Sequence, residues 1–161
     1  YMPEGVGLPI GGDRGPKYLL MEMHYDNPDL RSDLVDSSGF RVTITPTLRP
    51  IDAGIFSIGS WTSVLGHYIP QGLAWAHNAA IMYGDCTQDI FPSTGINVFT
   101  SGLHQHTIGT ASSLRQIRDG QELEPLDSNW NYDFNYQNFL VFDPPKVILP
   151  GDHLILDCYY D

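Results

Sequence analysis

A chain of 161 residues with 42% hydrophobic and 17% charged residues is long enough for one globular domain, or for one domain and part of another. Its formal net charge of −11 argues against nucleic acid or an anionic membrane surface as a partner, because both call for a basic face. The sequence has no run of about 18 apolar residues and therefore predicts no membrane-spanning helix. The N-terminal segment lacks the pattern of a signal peptide, and we interpret the chain as an excised or mature fragment.

Short strands, rather than helices, are predicted along the chain. Sixteen glycines and twelve prolines interrupt any long pattern with a period of 3.6 residues. Strand-like runs cover residues 18–25, 40–48, 53–61, 95–106, 113–123, 135–142, 146–152 and 153–160. Within one of them, Asp119-Gly120 predicts a hairpin turn. These features predict an all-β fold, a jelly-roll-like antiparallel β-sandwich.

One polar segment, residues 26–39, has no periodicity and joins two strand-like runs. It fits a long loop within one sandwich, and it fits equally a linker that leaves residues 1–25 as the tail of a preceding domain. The two cysteines, Cys86 and Cys158, are too few for a disulfide-dense scaffold. Residue spacing leaves three states open for them: a bond to each other, free thiols, or bonds to cysteines elsewhere.

A histidine pair in "GLHQHTIG" is the strongest candidate for a metal site. On a strand, residues i and i+2 point to the same face, so His104 and His106 are predicted side by side, with Leu103 and Gln105 on the opposite face. Paired neutral imidazoles suit zinc, copper, nickel or iron. The alternative is two polar side chains at a sheet edge.

The other histidines give weaker signals. His24 ends an apolar run, where a structural role is the commoner one. His67 and His77 lie in segments that read as loops, and His153 follows a turn and is predicted to be exposed. The short "GDC" segment is predicted to be a turn. No zinc-protease or serine-hydrolase motif is present, and no serine or cysteine has a recognisable base beside it.

Several segments in order resemble the copper type II, ascorbate-dependent monooxygenases, in particular the dopamine β-hydroxylase branch with its DBH-like (MOXD-type) relatives. The resemblance covers nearly the whole chain. It rests on "YLLMEMHYDNP" (18–28), "DSSGFRVTITPTLRPIDAGIFSIG" (36–59), "IPQG" (69–72), "GDCT" (84–87), "GINVFTSGLHQHTIG" (95–109), "RDGQEL" (118–123), "NYDFNYQNF" (131–139) and "ILPGDHLILDCYY" (148–160).

The resemblance implies two jelly-roll domains, each with one copper site. His24 matches the third histidine of the electron-transferring site, and His104 and His106 match the two histidines of the site where oxygen binds and substrate is hydroxylated, which makes His104 the implied catalytic residue. The remaining ligands, an upstream histidine pair and a downstream methionine, are expected outside this chain. Residues 1–35 then form the end of the N-terminal copper domain with a linker, and residues 36–161 form the C-terminal copper domain, truncated at its end.

The same resemblance implies a reaction and a compartment. Ascorbate reduces the coppers, and O2 hydroxylates an activated, benzylic C–H bond of a small phenylethylamine-type substrate; a homo-oligomer is expected of the complete protein. Cys86 and Cys158 are implied to pair with cysteines outside the chain, in the secretory pathway lumen (ER, secretory vesicle) or the extracellular space. We expect the fragment alone to be inactive.

Two alternatives stay open from the sequence. One is a catalytically inactive binding or structural β-sandwich domain of the same fold. The other is a zinc site that uses His24, His104 and His106 as three ligands.

Overall fold

The computed structural model describes residues 2–13, 15–59 and 68–161, which fall into two compact units, Tyr1–Ile55 and Phe56–Asp161. The two units are groups of residues that pack mainly among themselves, and this grouping does not test the predicted domain boundary at about residue 35.

The elements in chain order are β1 Val6–Gly7, β2 Ile51–Asp52, β3 Ala76–Met82, α1 Gly84–Ile90, β4 Ile96–Ser101, β5 Gly109–Arg118, β6 Gln121–Glu122, β7 Asp127–Asn129, β8 Leu140–Ile148 and β9 His153–Tyr160. Among the described residues, no helix is long and apolar enough to cross a membrane.

The first unit is mostly irregular. Its strands β1 and β2 form a short parallel pair, in which Val6 lies opposite Ile51 and Gly7 opposite Asp52. The strands predicted at 18–25 and 40–48 are wrong, because both segments are fully described and neither is paired. A strand needs a neighbour to take its backbone hydrogen bonds, and alternating residues alone do not supply one.

The second unit contains two antiparallel sheets. One has the order β3-β9-β5-β6, with β7 also paired to β5, and the other pairs β4 with β8. The predicted all-β, antiparallel sandwich is confirmed. The run at 153–160 is β9 along its whole length, and the Asp119-Gly120 hairpin joins β5 to β6 with both residues at positive φ.

The core lies where the two sheets meet. It is centred on Ile148 of β8, Leu154 of β9 and Leu126 just before β7. The strands β3, β4 and β5 and two residues outside the strands pack against this centre: Met82, Ile96, Val98, Leu114, Ile58 and Phe91. The alternation of "HLILDCYY" places Leu154 inward because successive side chains of a strand point to opposite faces.

Further segments differ from the sequence-based expectation, among them residues 135–139, which precede β8 and are not in a strand. The helix α1 contains the "GDC" that was predicted to be a turn, and β3 was predicted to be a loop. Residues 53–59 of the run at 53–61 are irregular, and the last two of that run lie outside the described residues. The strand β3 contains three alanines and few β-branched residues, so it owes its conformation to continuous pairing with β9 rather than to intrinsic preference.

A buried carboxylate fixes the turn between β8 and β9. Asp152 accepts hydrogen bonds from Arg118 Nε (2.8 Å), Gln116 Nε2 (2.6 Å) and the Leu149 amide (2.7 Å). Burial raises the pKa of Asp152, but these donors outweigh it and hold the pKa below its ordinary value. The side chain thereby ties the turn to β5.

Truncating the core at Ile148 should destabilise the second unit. Ile148→Ala removes a fully buried side chain and should lower the free energy of unfolding by about 2–5 kcal/mol. The adjacent, half-exposed Val147→Ala is the matched control and should cost less than about 1 kcal/mol. Urea denaturation measures both, and equal losses would contradict a core centred on Ile148.

The carboxylate of Asp152 should also make stability depend on pH. Its folded pKa is lowered, so the stability it contributes is present above the unfolded value near pH 4 and is lost as the pH falls through the folded value. In Asp152→Asn, the difference in unfolding free energy between pH 7 and about pH 3 should be smaller than in the wild type. Chemical denaturation across this range tests it, and identical pH profiles would count against the assignment.

Candidate metal centre

The histidine pair lies in the loop between β4 and β5. The strand predicted to run to residue 106 ends at Ser101, where the pairing of β4 with β8 also ends at Leu140. The alternation nevertheless continues through the loop, because His104 and His106 are exposed and Gln105 between them is buried. Thus the predicted strand is wrong here, but the predicted orientation of the two histidines is right.

The two imidazole rings lie side by side. Their centroids are 5.3 Å apart and their planes are inclined by 79°. The ring of Phe134 lies 6.4 Å from His106 on the other side. Two exposed, adjacent imidazoles can offer ring nitrogens to one ion.

Gln105 anchors the loop between the two histidines. Its amide donates to Tyr132 Oη (2.9 Å), and Tyr132 Oη donates back to the Gln105 carbonyl (2.5 Å). The Gln105 side-chain Nε2 donates to the Ala111 carbonyl (2.6 Å) and to Ser112 Oγ (2.7 Å), both on β5. With Gln105 held on the inner side, the flanking side chains must point outward.

Glycines on either side of the pair permit this packing. A Cβ at Gly109 would lie 2.5 Å from the Cβ of Gln105, so any larger residue would displace the anchor. A Cβ at Gly102 would lie 2.7 Å from the Phe139 ring. Glycine is therefore favoured at both ends of the loop because a Cβ would crowd a neighbouring side chain. The sequence alone does not show this steric requirement.

Gln137 fixes the proton on His104. Its side-chain Nε2 donates to the Phe134 carbonyl (2.7 Å), so Oε1 is the atom that faces His104 Nδ1, at 2.5 Å. A carbonyl oxygen only accepts, and Nδ1 must therefore carry the hydrogen. The lone pair of the neutral ring is then on Nε2, which is the nitrogen available to a metal. Sequence reasoning missed Gln137, although it lies in the quoted segment "NYDFNYQNF".

The comparisons with known proteins agree with this geometry. A family model described as copper type II ascorbate-dependent monooxygenase, C-terminal domain, matches residues 51–161, and the model of the N-terminal domain matches residues 1–32. The chain belongs to the copper type II ascorbate-dependent monooxygenase family. The predicted resemblance is confirmed.

Three relatives illustrate the match. The DBH-like monooxygenase protein 1 of Mus musculus is 40% identical over 162 residues, which cover 99% of this chain and 26% of the relative. The tyramine beta-hydroxylase of Caenorhabditis briggsae is 36% identical over 161 residues, 100% of this chain and 27% of the relative. The dopamine beta-hydroxylase of Canis lupus familiaris is 36% identical over 166 residues, 100% of this chain and 26% of the relative. The chain thus spans about a quarter of the length of these relatives.

The other histidines of this copper monooxygenase chain take different roles. His24, in the first unit, is exposed, and its Nε2 lies 2.7 Å from Glu22 Oε1. His77 lies in β3, where its Nε2 is 2.7 Å from Asp157 Oδ1 and its ring stacks on Tyr159. His153 is exposed, as predicted, and its Nδ1 accepts the Gly84 amide. His67 lies outside the described residues.

The two cysteines are free in the structure. Cys86 is exposed on α1, and Cys158 is half-buried on β9 with its Sγ 3.6 Å from Ser112 Oγ. They do not bond to each other. Pairing with cysteines outside the chain stays a prediction.

The His104–His106 pair fits copper as a partial ligand set. Exposed neutral imidazoles are ligands that copper accepts, and Gln137 presents one of them in a metal-binding tautomer. Across the part of the chain that the structure describes, no three His, Cys, Asp or Glu side chains converge. The pair therefore supplies two ligands, and a complete centre needs at least one more.

Removing the hydroxyl of Tyr132 should loosen the anchor. Tyr132→Phe leaves the buried amide and carbonyl of Gln105 without this partner, which should cost about 1–3 kcal/mol of unfolding free energy and weaken copper binding at the pair. The exposed Tyr136→Phe is the control. Thermal melting and a copper titration measure the two effects, and an unchanged affinity would show that the anchor does not position the histidines.

Proposed function

We propose that this chain is part of a copper- and ascorbate-dependent monooxygenase that hydroxylates the benzylic carbon of a phenylethylamine-type substrate with O2. The observation that carries the proposal is the pair of adjacent, outward-facing imidazoles of His104 and His106, held from behind by Gln105. The amine hydroxylases among the relatives support the substrate class.

His104 and His106 would hold the copper at which the substrate is hydroxylated. Copper there would supply the one-electron chemistry with O2 that no protein side chain provides. The chain's own contribution is geometric: Gln137 holds the hydrogen of the neutral His104 ring on Nδ1, and Gln105 keeps both rings on one side of the loop. His104 is accordingly our candidate catalytic residue.

His24 would hold the second copper, which passes electrons. Its ring is exposed in the first unit and is within hydrogen-bonding distance of Glu22, a carboxylate that can orient an imidazole ligand. Ascorbate would supply the electrons, and the remaining nitrogen ligands of this copper would come from outside residues 1–161.

A small amine is favoured over a peptide as the substrate. The resemblance extends to a more distant, peptide-hydroxylating branch of the family, for which it implies an arginine, two residues before the first histidine of the pair, that anchors a peptide carboxylate. The position is Gly102 in this chain. A glycine has no cationic side chain to meet a carboxylate. A Cβ at Gly102 would lie 2.7 Å from the Phe139 ring, so a longer side chain there would require that exposed ring to move.

The compartment and the domain assignment follow from the same proposal. Disulfides from Cys86 and Cys158 to cysteines outside the chain would call for the secretory lumen or the extracellular space. Residues 1–35 would belong to the N-terminal copper domain and residues 36–161 to the C-terminal one. A homo-oligomer is proposed for the complete protein.

A catalytically inactive sandwich that binds a ligand or a partner is the second candidate function. The observation that favours it is the ligand count at the pair, where the described residues bring two imidazoles together and no third ligand. Absence of copper binding at His104 and His106 would select this candidate.

A Cu(I) titration against a competing chelator separates the candidates. His104→Ala and His106→Ala should each abolish binding at one site, because each removes one of two protein ligands, whereas His24→Ala should leave that site unchanged. His153→Ala, another exposed histidine of the second unit, is the control.

Two results would overturn the proposal. If His24→Ala abolished binding at His104 and His106, a single three-histidine site of the zinc type would replace two copper sites. If neither loop variant changed copper binding, the pair would not be a metal site.

With ascorbate and phenylethylamine, the 161-residue chain alone is expected to show no turnover.

A further inference from the structure

A shallow cleft of about 210 Å³ opens next to the histidine loop. Its lining includes one carboxylate, Asp127, and three aromatic residues, Tyr132, Tyr136 and Phe139, together with two leucines and neutral polar residues such as Gln137. The volume lies below the roughly 300–1,000 Å³ of pockets that enclose drug-sized ligands, so the cleft could take only a small molecule.

The carboxylate of Asp127 has no partner among the residues that the structure describes. Asp127 is the first residue of β7 and is only 8% exposed, yet no described side chain or amide donates to its carboxylate and no described cation forms an ion pair with it. The ammonium group of Lys146, which is bound to the segment just before β7, donates to the carbonyls of Pro125 and Leu126. The carboxylate oxygens are still open to solvent, because Gln105 Oε1 is the one fully buried side-chain oxygen or nitrogen without a partner among the described residues. An accessible carboxylate on a largely buried residue that lines a cleft can take a cation from outside.

The rings around Asp127 fit the rest of such a ligand. Tyr132 is buried, whereas Tyr136 and Phe139 present exposed rings to the cleft. Aromatic faces attract both apolar groups and cations. A cleft lined by both a carboxylate and aromatic residues therefore favours an ammonium group carried on an apolar or aromatic body.

The cleft adjoins the His104 side of the candidate metal centre. Gln137 lines the cleft and also accepts the hydrogen bond from His104 Nδ1. Leu103, another lining residue, directly precedes His104. A molecule in the cleft would thus contact the same glutamine that orients the ring.

We propose that Asp127 recognises the ammonium group of the substrate and that the cleft holds the substrate's body beside His104. This inference rests on the proposed function for the identity of the reaction, but the cation-binding step stands on the cleft alone. Asp127 is then the residue that sets the preference for amines over neutral molecules of the same shape.

A binding experiment on the metal-free chain tests this step. Phenylethylamine and 2-phenylethanol, which differ in charge but share a body, are titrated into the wild type, Asp127→Asn and the control Asp119→Asn by NMR. The amine should bind the wild type about ten- to a hundredfold more tightly than the alcohol, and Asp127→Asn should remove that preference. Asp119 is exposed in the β5–β6 turn, so Asp119→Asn should bind both molecules like the wild type.

Each outcome decides the proposal. Equal affinity of the wild type for amine and alcohol would overturn it, even if Asp127→Asn failed to fold, and so would an undiminished amine preference in Asp127→Asn. Loss of the preference in Asp127→Asn alone, with a normal thermal melt, would support it. Because no copper is present, this result is independent of the copper titration at His104 and His106, and either proposal can fail without the other.

Discussion

The geometry of the histidine loop depends on the burial of one polar side chain. Gln105 is 4% exposed, and its backbone and side chain together make four hydrogen bonds to Tyr132, Ala111 and Ser112. Nε2 and the backbone groups of Gln105 are thus satisfied, whereas its Oε1 is buried without a partner among the described residues. The four bonds favour one loop conformation, because losing them would leave more buried polar groups unpaired. The imidazoles of His104 and His106 face outward because Gln105, the residue between them, is held on the inner side of the loop.

Polar groups tie the metal loop, the cleft and the sheets into one arrangement. Tyr132 holds Gln105 and also forms a wall of the cleft. Gln137 contacts His104 on one side and the cleft on the other. In the same unit, Asp152 joins the β8–β9 turn to β5. The unit therefore uses buried hydrogen bonds to position its surface groups, while Ile148 and Leu154 supply the apolar core.

The sequence predicted the fold class and the histidine pair because both depend on local patterns. The alternation of 153–160, the Asp119-Gly120 turn and the H-x-H spacing each act over a few residues and appear in the structure. Long-range contacts set what it missed. The strand β3 exists through its pairing with β9, and Gln137 reaches His104 across 33 residues of chain. Segments 18–25 and 40–48 have the alternation of strands and, among the described residues, no paired neighbour. Copper and ascorbate came from resemblance to a family and not from residue patterns.

The short parallel pair of β1 and β2 has a consequence for the first unit. The Ile51 amide donates to the Gly5 carbonyl and the Ala53 amide to the Gly7 carbonyl, so a few backbone bonds close a long loop that contains His24. The entropy of closing a flexible loop rises slowly with its length, by about 0.6 kcal/mol per doubling. Insertions or deletions between residues 8 and 50 would therefore barely affect this closure. The stability of the stem therefore places little constraint on the length of that loop.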